Sequence, residues 1–174
     1  MAFSDYTHAF VTTLNGTEAS DGAGRALPVH DAIARALEVF RRIVRGPNKV
    51  MFIGNGGSAG IAGHMAIDFA KNGGVRSLTF NDASSLTCLG NDLGYDQVFA
   101  KQVEMQGLKG DALIAISSSG ESKNILNAVG AARKKRMKVI TLSGFDAGNP
   151  LRKEGDVNLW VDSRAFGYVE MIHN

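Results

Sequence analysis

An apolar run followed by a glycine-rich turn is the feature that most constrains the fold of this chain. Val50-Met51-Phe52-Ile53 is followed by Gly54-Asn55-Gly56-Gly57-Ser58-Ala59, and a helical pattern then runs to Lys71. The segment predicts a strand, a tight turn and a helix. A helix N-terminus carries unpaired N–H groups and the positive end of the helix dipole, so this turn can hold an anion. Glycines let the backbone approach that anion closely, and Asn55 and Ser58 add polar side chains.

A second loop of the same kind follows another apolar run. Ala112-Leu113-Ile114-Ala115-Ile116 leads into Ser117-Ser118-Ser119-Gly120-Glu121-Ser122. Serine hydroxyls and backbone N–H groups can bind a phosphate dianion without a basic side chain. A serine-rich segment can also simply cap a helix, but four serines in six residues after an apolar strand favour the ligand interpretation. The two polar turns together predict a phosphorylated ligand held between them.

Strand and helix patterns alternate along most of the chain. Strands are predicted at 49–53, 77–80, 112–116, 138–142 and 157–161, and helices at 58–71, 96–106, 122–136 and from 168 onward. This alternation predicts an α/β fold, with a doubly wound parallel sheet of five strands and helices on both faces. Ligands of such sheets bind beyond the carboxyl ends of the strands, which is where both polar loops fall.

The first 48 residues have a different character. Helical patterns at 4–14 and 28–45 flank the polar, glycine-rich stretch 16–25, for which we predict a loop. We therefore divide the chain into an N-terminal helical segment, residues 1–48, and a ligand-binding domain, residues 49–174. The last helical pattern stops after about two turns, so we expect the natural protein to continue beyond Asn174.

Composition argues against several classes of function. A net charge of +2 is too small to indicate nucleic-acid binding, and the basic cluster 133–136 falls at a predicted helix end, where cations are favourable. We expect no membrane association, because no apolar run is long enough to span a bilayer and no secretory signal is evident. Cys88 is the single cysteine, and its neighbours Leu86 and Leu89 predict a buried, inert thiol. Because a single cysteine cannot form an internal disulfide, we expect a protein of the reducing cytoplasm.

Taken together, these motifs resemble the SIS (sugar isomerase) domain family, and more narrowly its bacterial members that act on D-sedoheptulose 7-phosphate. The resemblance covers about residues 50–173 and is carried by Gly54–Ser58, His64, Gly90-Asn91-Asp92, Ser117–Ser122, Lys138–Gly144 and Phe166-Gly167-Tyr168. It implies an aldose–ketose isomerase that forms D-glycero-D-manno-heptose 7-phosphate for heptose and lipopolysaccharide synthesis. It also implies a homotetramer with active sites at subunit interfaces, and we assign oligomerisation to the N-terminal helical segment.

The same resemblance implies roles for individual residues. The substrate-binding set would be Asn55, Gly56, Gly57, Ser58, Asp92, Ser117, Ser118, Ser119 and Ser122. Asp68 stands where the family has its catalytic glutamate and would be the base, although its side chain is one methylene shorter. His173 stands where the family has a metal-binding glutamine. The family's catalytic histidine would lie beyond Asn174, and we expect His173 to replace that acid in part. Glu170 stands in place of a family aspartate.

A zinc site is the expected cofactor site, with His64, Asp68 and His173 as its ligands. His64 and Asp68 are four residues apart, so both face the same side of one helix. Imidazole and carboxylate are good ligands for zinc, and His173 would add a third from another element. The alternative interpretation is that His64 makes only a buried polar contact and Asp68 is a solvated surface residue.

Two other functions are compatible with the sequence. The first is a dinucleotide-dependent enzyme, because Gly54-x-Gly56-x-x-Ala59 fits a loose nucleotide-binding fingerprint and Asp82 follows the next predicted strand. That scheme gives the serine loop no role. The second is a non-catalytic SIS-domain protein, either a sugar-phosphate sensor or an adaptor that binds the replication initiator. The aspartate at position 68 gives this second alternative its weight.

Overall fold

The computed structural model describes residues 2–174, which form seven helices, seven strands and two short 3₁₀ turns. The helices are α1 (Phe3–Asn15), α2 (Val29–Val44), α3 (Gly57–Lys71), α4 (Ala83–Leu93), α5 (Val98–Gln106), α6 (Lys123–Lys134) and α7 (Phe166–His173). The strands are β1 (Glu18–Asp21), β2 (Ala26–Leu27), β3 (Val50–Ile53), β4 (Ser77–Thr79), β5 (Ala112–Ser117), β6 (Lys138–Ser143) and β7 (Val157–Trp160). The 3₁₀ turns are Tyr95–Gln97 and Pro150–Lys153. No helix in residues 2–174 has the length and apolar character that a membrane span requires.

The strands form one sheet in the order β2-β1-β7-β6-β5-β3-β4. The five strands from β7 to β4 are parallel, which confirms the predicted α/β fold and its five parallel strands. β1 and β2 extend the sheet as an antiparallel hairpin on β7. The loop predicted for residues 16–25 was therefore wrong, because β1 lies within it. Its sequence, Glu-Ala-Ser-Asp, is mostly polar, and the strand is specified by pairing with β7 rather than by an apolar pattern.

Apolar side chains cover both faces of the sheet. β3 is buried at all four positions and β5 at all six. Met51 and Ile53 lie in the core layer that contains α5 and α6, whereas Val50 and Phe52 lie in the layer that contains α2 and α3. This division into two layers explains why the central strands read as continuous apolar runs, and it brings the carboxyl ends of β3 and β5 to one edge of the sheet.

The helices of residues 1–48 differ in how far they join this core. α2 buries Ala32 and Ile43 against the sheet. In contrast, none of the residues of α1 from Phe3 to Asn15 is buried. α1 contacts α7 mainly through aromatic side chains, with the ring centroids of Tyr6 and Tyr168 5.1 Å apart.

Helix α4 is a feature that the sequence interpretation missed. The Asp82 carboxylate caps it by accepting a hydrogen bond of 2.9 Å from the Ser85 N–H. Leu86 and Leu89 pack against the core, but Cys88 points to another side of the helix and is exposed. The prediction of a buried thiol was wrong because a helix separates neighbours in the sequence onto different faces.

Candidate functional site

A small cavity lies at the carboxyl end of β5, and we call it the serine cavity. It has a volume of about 220 Å³. Its lining residues are Asn55, Ser58, Ile116, Ser117, Ser118, Ser119, Ser122, Phe166 and Glu170. The structure thus brings six of the nine predicted substrate-binding residues to one place. They come from the turn at the start of α3, from the end of β5 and from the loop between β5 and α6. None of the described residues that line it is a lysine or arginine.

The serine loop is held in shape by its own hydrogen bonds. Gly120 has a φ of +67°, and its N–H donates to the Ser117 carbonyl at 3.0 Å. The Ser117 hydroxyl donates to the Ser122 hydroxyl at 3.2 Å, just before α6 begins. The Ser118 Oγ, by contrast, is buried and has no hydrogen-bond partner among the described residues. Buried polar atoms are nearly always paired, so the Ser118 hydroxyl is the exception in this loop and keeps its donor and its acceptors unused.

Glycines shape the other wall, at the start of α3. Gly56 has a φ of +54°. A Cβ on Gly54 would overlap the backbone of Ser58, and a Cβ on Gly57 would overlap the carboxylate of Glu170. The Glu170 carboxylate therefore lies directly against the N-terminal turn of α3. It is the acidic side chain of the serine cavity. The resemblance places it where the family has an aspartate, but we did not include it in the predicted site, because its contact with Gly57 is a tertiary one without a local sequence signal.

Asn55 links the two loops. Its Nδ2 donates to the Asn124 Oδ1 at 2.9 Å, and the Asn124 Nδ2 donates back to the Asn55 Oδ1 at 2.9 Å. The Tyr95 hydroxyl also donates to the Asn55 Oδ1, at 3.0 Å. Most of the hydrogen-bonding capacity of Asn55 is thus used to fix the turn after β3 to α6.

His64 and Asp68 lie elsewhere on α3. Their side chains are 59% and 39% exposed, and the His64 Nε2 is 3.5 Å from the Asp68 Oδ2. Neither lines the serine cavity. Asp68 borders a mostly apolar groove of about 700 Å³ between α2 and α3, which we call the α2–α3 groove. The groove is larger than the serine cavity, and of the predicted site residues it contains only Asp68. Its lining residues are Leu37, Phe40, Arg41, Val44, Arg45, Met65, Asp68, Phe69, Asn72, Gly73 and Val75.

His173 and Asp92 also lie apart from the serine cavity. His173, at the end of α7, is buried, and its Nε2 is 3.1 Å from the Ser143 carbonyl oxygen. It does not join His64 and Asp68, and residues 2–174 contain no group of three or more His, Cys, Asp or Glu side chains that could hold a metal ion. The structure thus does not bring together the predicted zinc ligands within one chain, because the fold buries His173. Asp92 is exposed on α4.

The burial of His173 predicts a pH-dependent stability. Burial lowers the pKa of its imidazole from 6.5 to about 4. The unfolded chain therefore binds a proton before the folded chain does, so the contribution of His173 is complete above pH 6.5 and is lost as the pH falls towards 4. A pKa difference of one unit between the folded and unfolded chains corresponds to about 1.4 kcal/mol. The unfolding free energy should therefore fall by up to about 3 kcal/mol between pH 6.5 and pH 4.

Urea unfolding at pH 7, 6, 5 and 4.5 measures this effect. His173→Gln should flatten the dependence, whereas the exposed His30→Gln should retain it. An identical slope in the wild type and His173→Gln is the result that would contradict the assignment.

Comparison with known proteins identifies the family. The SIS domain family model matches residues 28–144. The phosphoheptose isomerase of Yersinia pestis (strain Pestoides F) is 40% identical over 147 residues, covering 82% of this chain and 75% of the relative. The solved phosphoheptose isomerase from Francisella tularensis is 31% identical with a TM-score of 0.82, covering 98% of this chain and 89% of that one. The solved phosphoheptose isomerase GmhA from Neisseria gonorrhoeae is 36% identical with a TM-score of 0.74, covering 82% and 80%. This chain therefore belongs to the SIS domain family.

Proposed function

We propose that this protein is a phosphoheptose isomerase that interconverts sedoheptulose 7-phosphate and D-glycero-D-manno-heptose 7-phosphate. The observation that carries the proposal is the serine cavity, with its orphaned Ser118 hydroxyl, in a chain 40% identical to a phosphoheptose isomerase. The same relationship favours an isomerase over a non-catalytic sensor or adaptor. In this assignment the protein works in the cytoplasm and supplies heptose for lipopolysaccharide or related glycans.

The serine cavity would hold the phosphate of the sugar. The hydroxyls of Ser118, Ser119 and Ser122 can donate to it from one loop that ends at the N-terminus of α6, whereas the Ser117 hydroxyl already donates its proton to Ser122 and holds that loop in shape. Hydroxyl donors and the positive end of a helix dipole together stabilise a dianion without a basic side chain. The Glu170 carboxylate on the opposite wall repels a dianion, so the phosphate would lie on the serine side of the cavity.

The reaction moves a proton between C1 and C2 of the sugar, which requires a base within hydrogen-bonding distance of the carbon-bound proton. We assign this role to Asp68. Within one chain Asp68 does not line the serine cavity, so the assignment requires that Asp68 of one copy acts at the serine cavity of another. Assembly is supported by the apolar α2–α3 groove beside Asp68 and by α1, whose residues 3–15 are all unburied. We propose a homotetramer with active sites between subunits.

The zinc ion that the resemblance implies does not fit the donors of one chain. His64 and Asp68 supply two suitable ligands, but no third His, Cys, Asp or Glu of residues 2–174 joins them. Zinc would polarise a sugar oxygen if a second copy completed its ligand set. The proton transfer assigned to Asp68 does not depend on it.

Removal of the Ser118 hydroxyl tests the phosphate assignment. Ser118→Ala should weaken the binding of inorganic phosphate and of sedoheptulose 7-phosphate by about tenfold, because a hydrogen bond to a charged group is lost. Calorimetric titration measures both affinities. Ser84→Ala, which alters an exposed serine in the first turn of α4, should leave them unchanged. Equal affinities of the wild type and Ser118→Ala would remove the serine cavity from the proposed site.

A further inference from the structure

A short loop after β6 contacts both the serine loop and α7, and we call its residues, 144–149, the β6 loop. Phe145, within it, has a φ of +56°. This left-handed conformation is unfavourable for a bulky residue and persists only where the surrounding structure holds it. The Phe145 ring packs edge-on against Phe166, which lines the serine cavity, with the ring centroids 4.7 Å apart. The conformation of Phe145 therefore places a ring against a residue of the cavity wall.

The buried side chain of Asn149 holds this conformation. Its Nδ2 donates to the carbonyl oxygens of Gly144, at 3.0 Å, and Asp146, at 2.7 Å. These two residues flank Phe145. The Asn149 Oδ1 accepts a hydrogen bond of 3.0 Å from the Arg152 N–H and so caps the 3₁₀ turn that follows the loop. The amide thus has two separate roles, with the Nδ2 fixing the backbone around Phe145 and the Oδ1 capping the turn.

The β6 loop also fixes the backbone of the serine loop. The Gly144 N–H donates to the Ser118 carbonyl oxygen at 3.0 Å. Just beyond the loop, the Leu151 N–H donates to the Gly120 carbonyl oxygen at 3.1 Å. A Cβ on Gly120 would overlap the Asn149 side chain, so the amide of Asn149 packs directly against the serine loop. Asn149 itself does not line the serine cavity.

We propose that Asn149 is a positioning residue for phosphate binding at the serine cavity. It acts through the β6 loop on two walls of that cavity, the serine loop and Phe166. This inference rests on the proposed function, which makes the serine cavity the phosphate site. Donors that are held in place before a ligand arrives bind it more tightly than donors that must first be ordered. Loss of the Asn149 Nδ2 should therefore weaken phosphate binding, although this atom does not contact the phosphate.

Asn149→Ser tests this role because it separates positioning from capping. Serine is a good cap, so its hydroxyl can still accept a hydrogen bond from the Arg152 N–H, but it is too short to reach the Gly144 carbonyl. We expect inorganic phosphate to bind about tenfold more weakly, because ordering the freed loop costs about as much free energy as one hydrogen bond supplies. Calorimetric titration measures the affinity.

Asn158→Ser is the matched control. Asn158 is also buried, and its Nδ2 also donates to two backbone carbonyls, those of Asp21 and Gly155, which lie outside the serine loop and the β6 loop. Urea unfolding should show a loss of stability in both variants, but Asn158→Ser should bind phosphate as the wild type does. Wild-type affinity in Asn149→Ser, or equal weakening in the two variants, would overturn the inference and leave Asn149 with a structural role alone.

Hydrogen exchange in the wild type decides the question if Asn149→Ser does not fold. Bound phosphate orders the serine loop, so it should also slow local opening at the Gly144 and Leu151 amides that donate to this loop. By NMR, saturating inorganic phosphate should slow their exchange at least fivefold more than that of the Ala112 amide, which donates to the Lys49 carbonyl. Equal slowing at all three, or none, would overturn the inference. Failure of the proposed isomerase is seen separately, as absence of sedoheptulose 7-phosphate turnover by a wild-type protein that shows these phosphate effects.

Discussion

Asp68→Asn should lower kcat for sedoheptulose 7-phosphate by about 10³-fold, because a positioned general base typically contributes 10²–10⁴-fold and an amide cannot accept the proton. The side chain keeps its size, so substrate affinity should remain within about twofold of the wild type. Glu38→Gln is the matched control, since Glu38 is also a helical, exposed carboxylate. It should retain full activity. Full activity of Asp68→Asn would mean that another group is the base. Glu170, the acidic side chain that lines the serine cavity, is then the candidate.

The same variant tests whether Asp68 acts between subunits. Ser118→Asp places a carboxylate in the serine cavity and should abolish phosphate binding by charge repulsion. Each single variant should therefore be inactive on its own. If Asp68 of one copy serves the cavity of another, co-expression of the two variants creates sites with an intact base and an intact cavity, and activity returns. Mixed oligomers that remain inactive would show that the base and cavity must belong to one chain.

The second large effect is expected for Gly54→Ala. A Cβ at this position would overlap the backbone of Ser58, which cannot move without displacing the start of α3. Overpacking of this kind commonly costs 1–3 kcal/mol, and we expect about 3 kcal/mol because the obstructing atoms are backbone. Phosphate binding should weaken as well, since the same turn forms a wall of the serine cavity.

Gly130→Ala provides the comparison for this loss of stability. Gly130 lies within α6, and nothing lies within 4 Å of a Cβ built there. Alanine should raise the unfolding free energy by about 1 kcal/mol, because it is the better helix former. Urea unfolding of both variants measures the contrast. A Gly54→Ala protein as stable as the wild type would mean that the turn does not have the conformation described above.

The sequence predicts the parts of this fold whose signals are local. The apolar runs of β3 and β5 are buried on both faces, and the polar loops after them converge because parallel strands end at the same edge. The seven-stranded sheet was not predicted, because β1 depends on pairing with β7. α4 was missed because its stretch, rich in serine and threonine, has weak helix propensity.

The candidate site likewise has residues whose grouping the sequence predicts and residues whose position depends on tertiary packing. The serines are adjacent in the chain and are brought together by one turn, so their grouping could be predicted. His173, in contrast, is placed by the packing of α7, where Val169 fills the space beside Gly144. Nothing in the local pattern around His173 shows that its Nε2 bonds to the Ser143 carbonyl. The position of Glu170 against Gly57 is likewise a tertiary contact that no spacing rule reveals.

The central claim is that the protein moves a proton between C1 and C2 of sedoheptulose 7-phosphate. Proton NMR of the full-length protein with this ketose phosphate in heavy water measures it most directly. We expect new aldose anomeric signals and deuterium at the carbon next to the carbonyl. Binding of sedoheptulose 7-phosphate without aldose formation and without deuterium incorporation would contradict the account and favour a sugar-phosphate sensor.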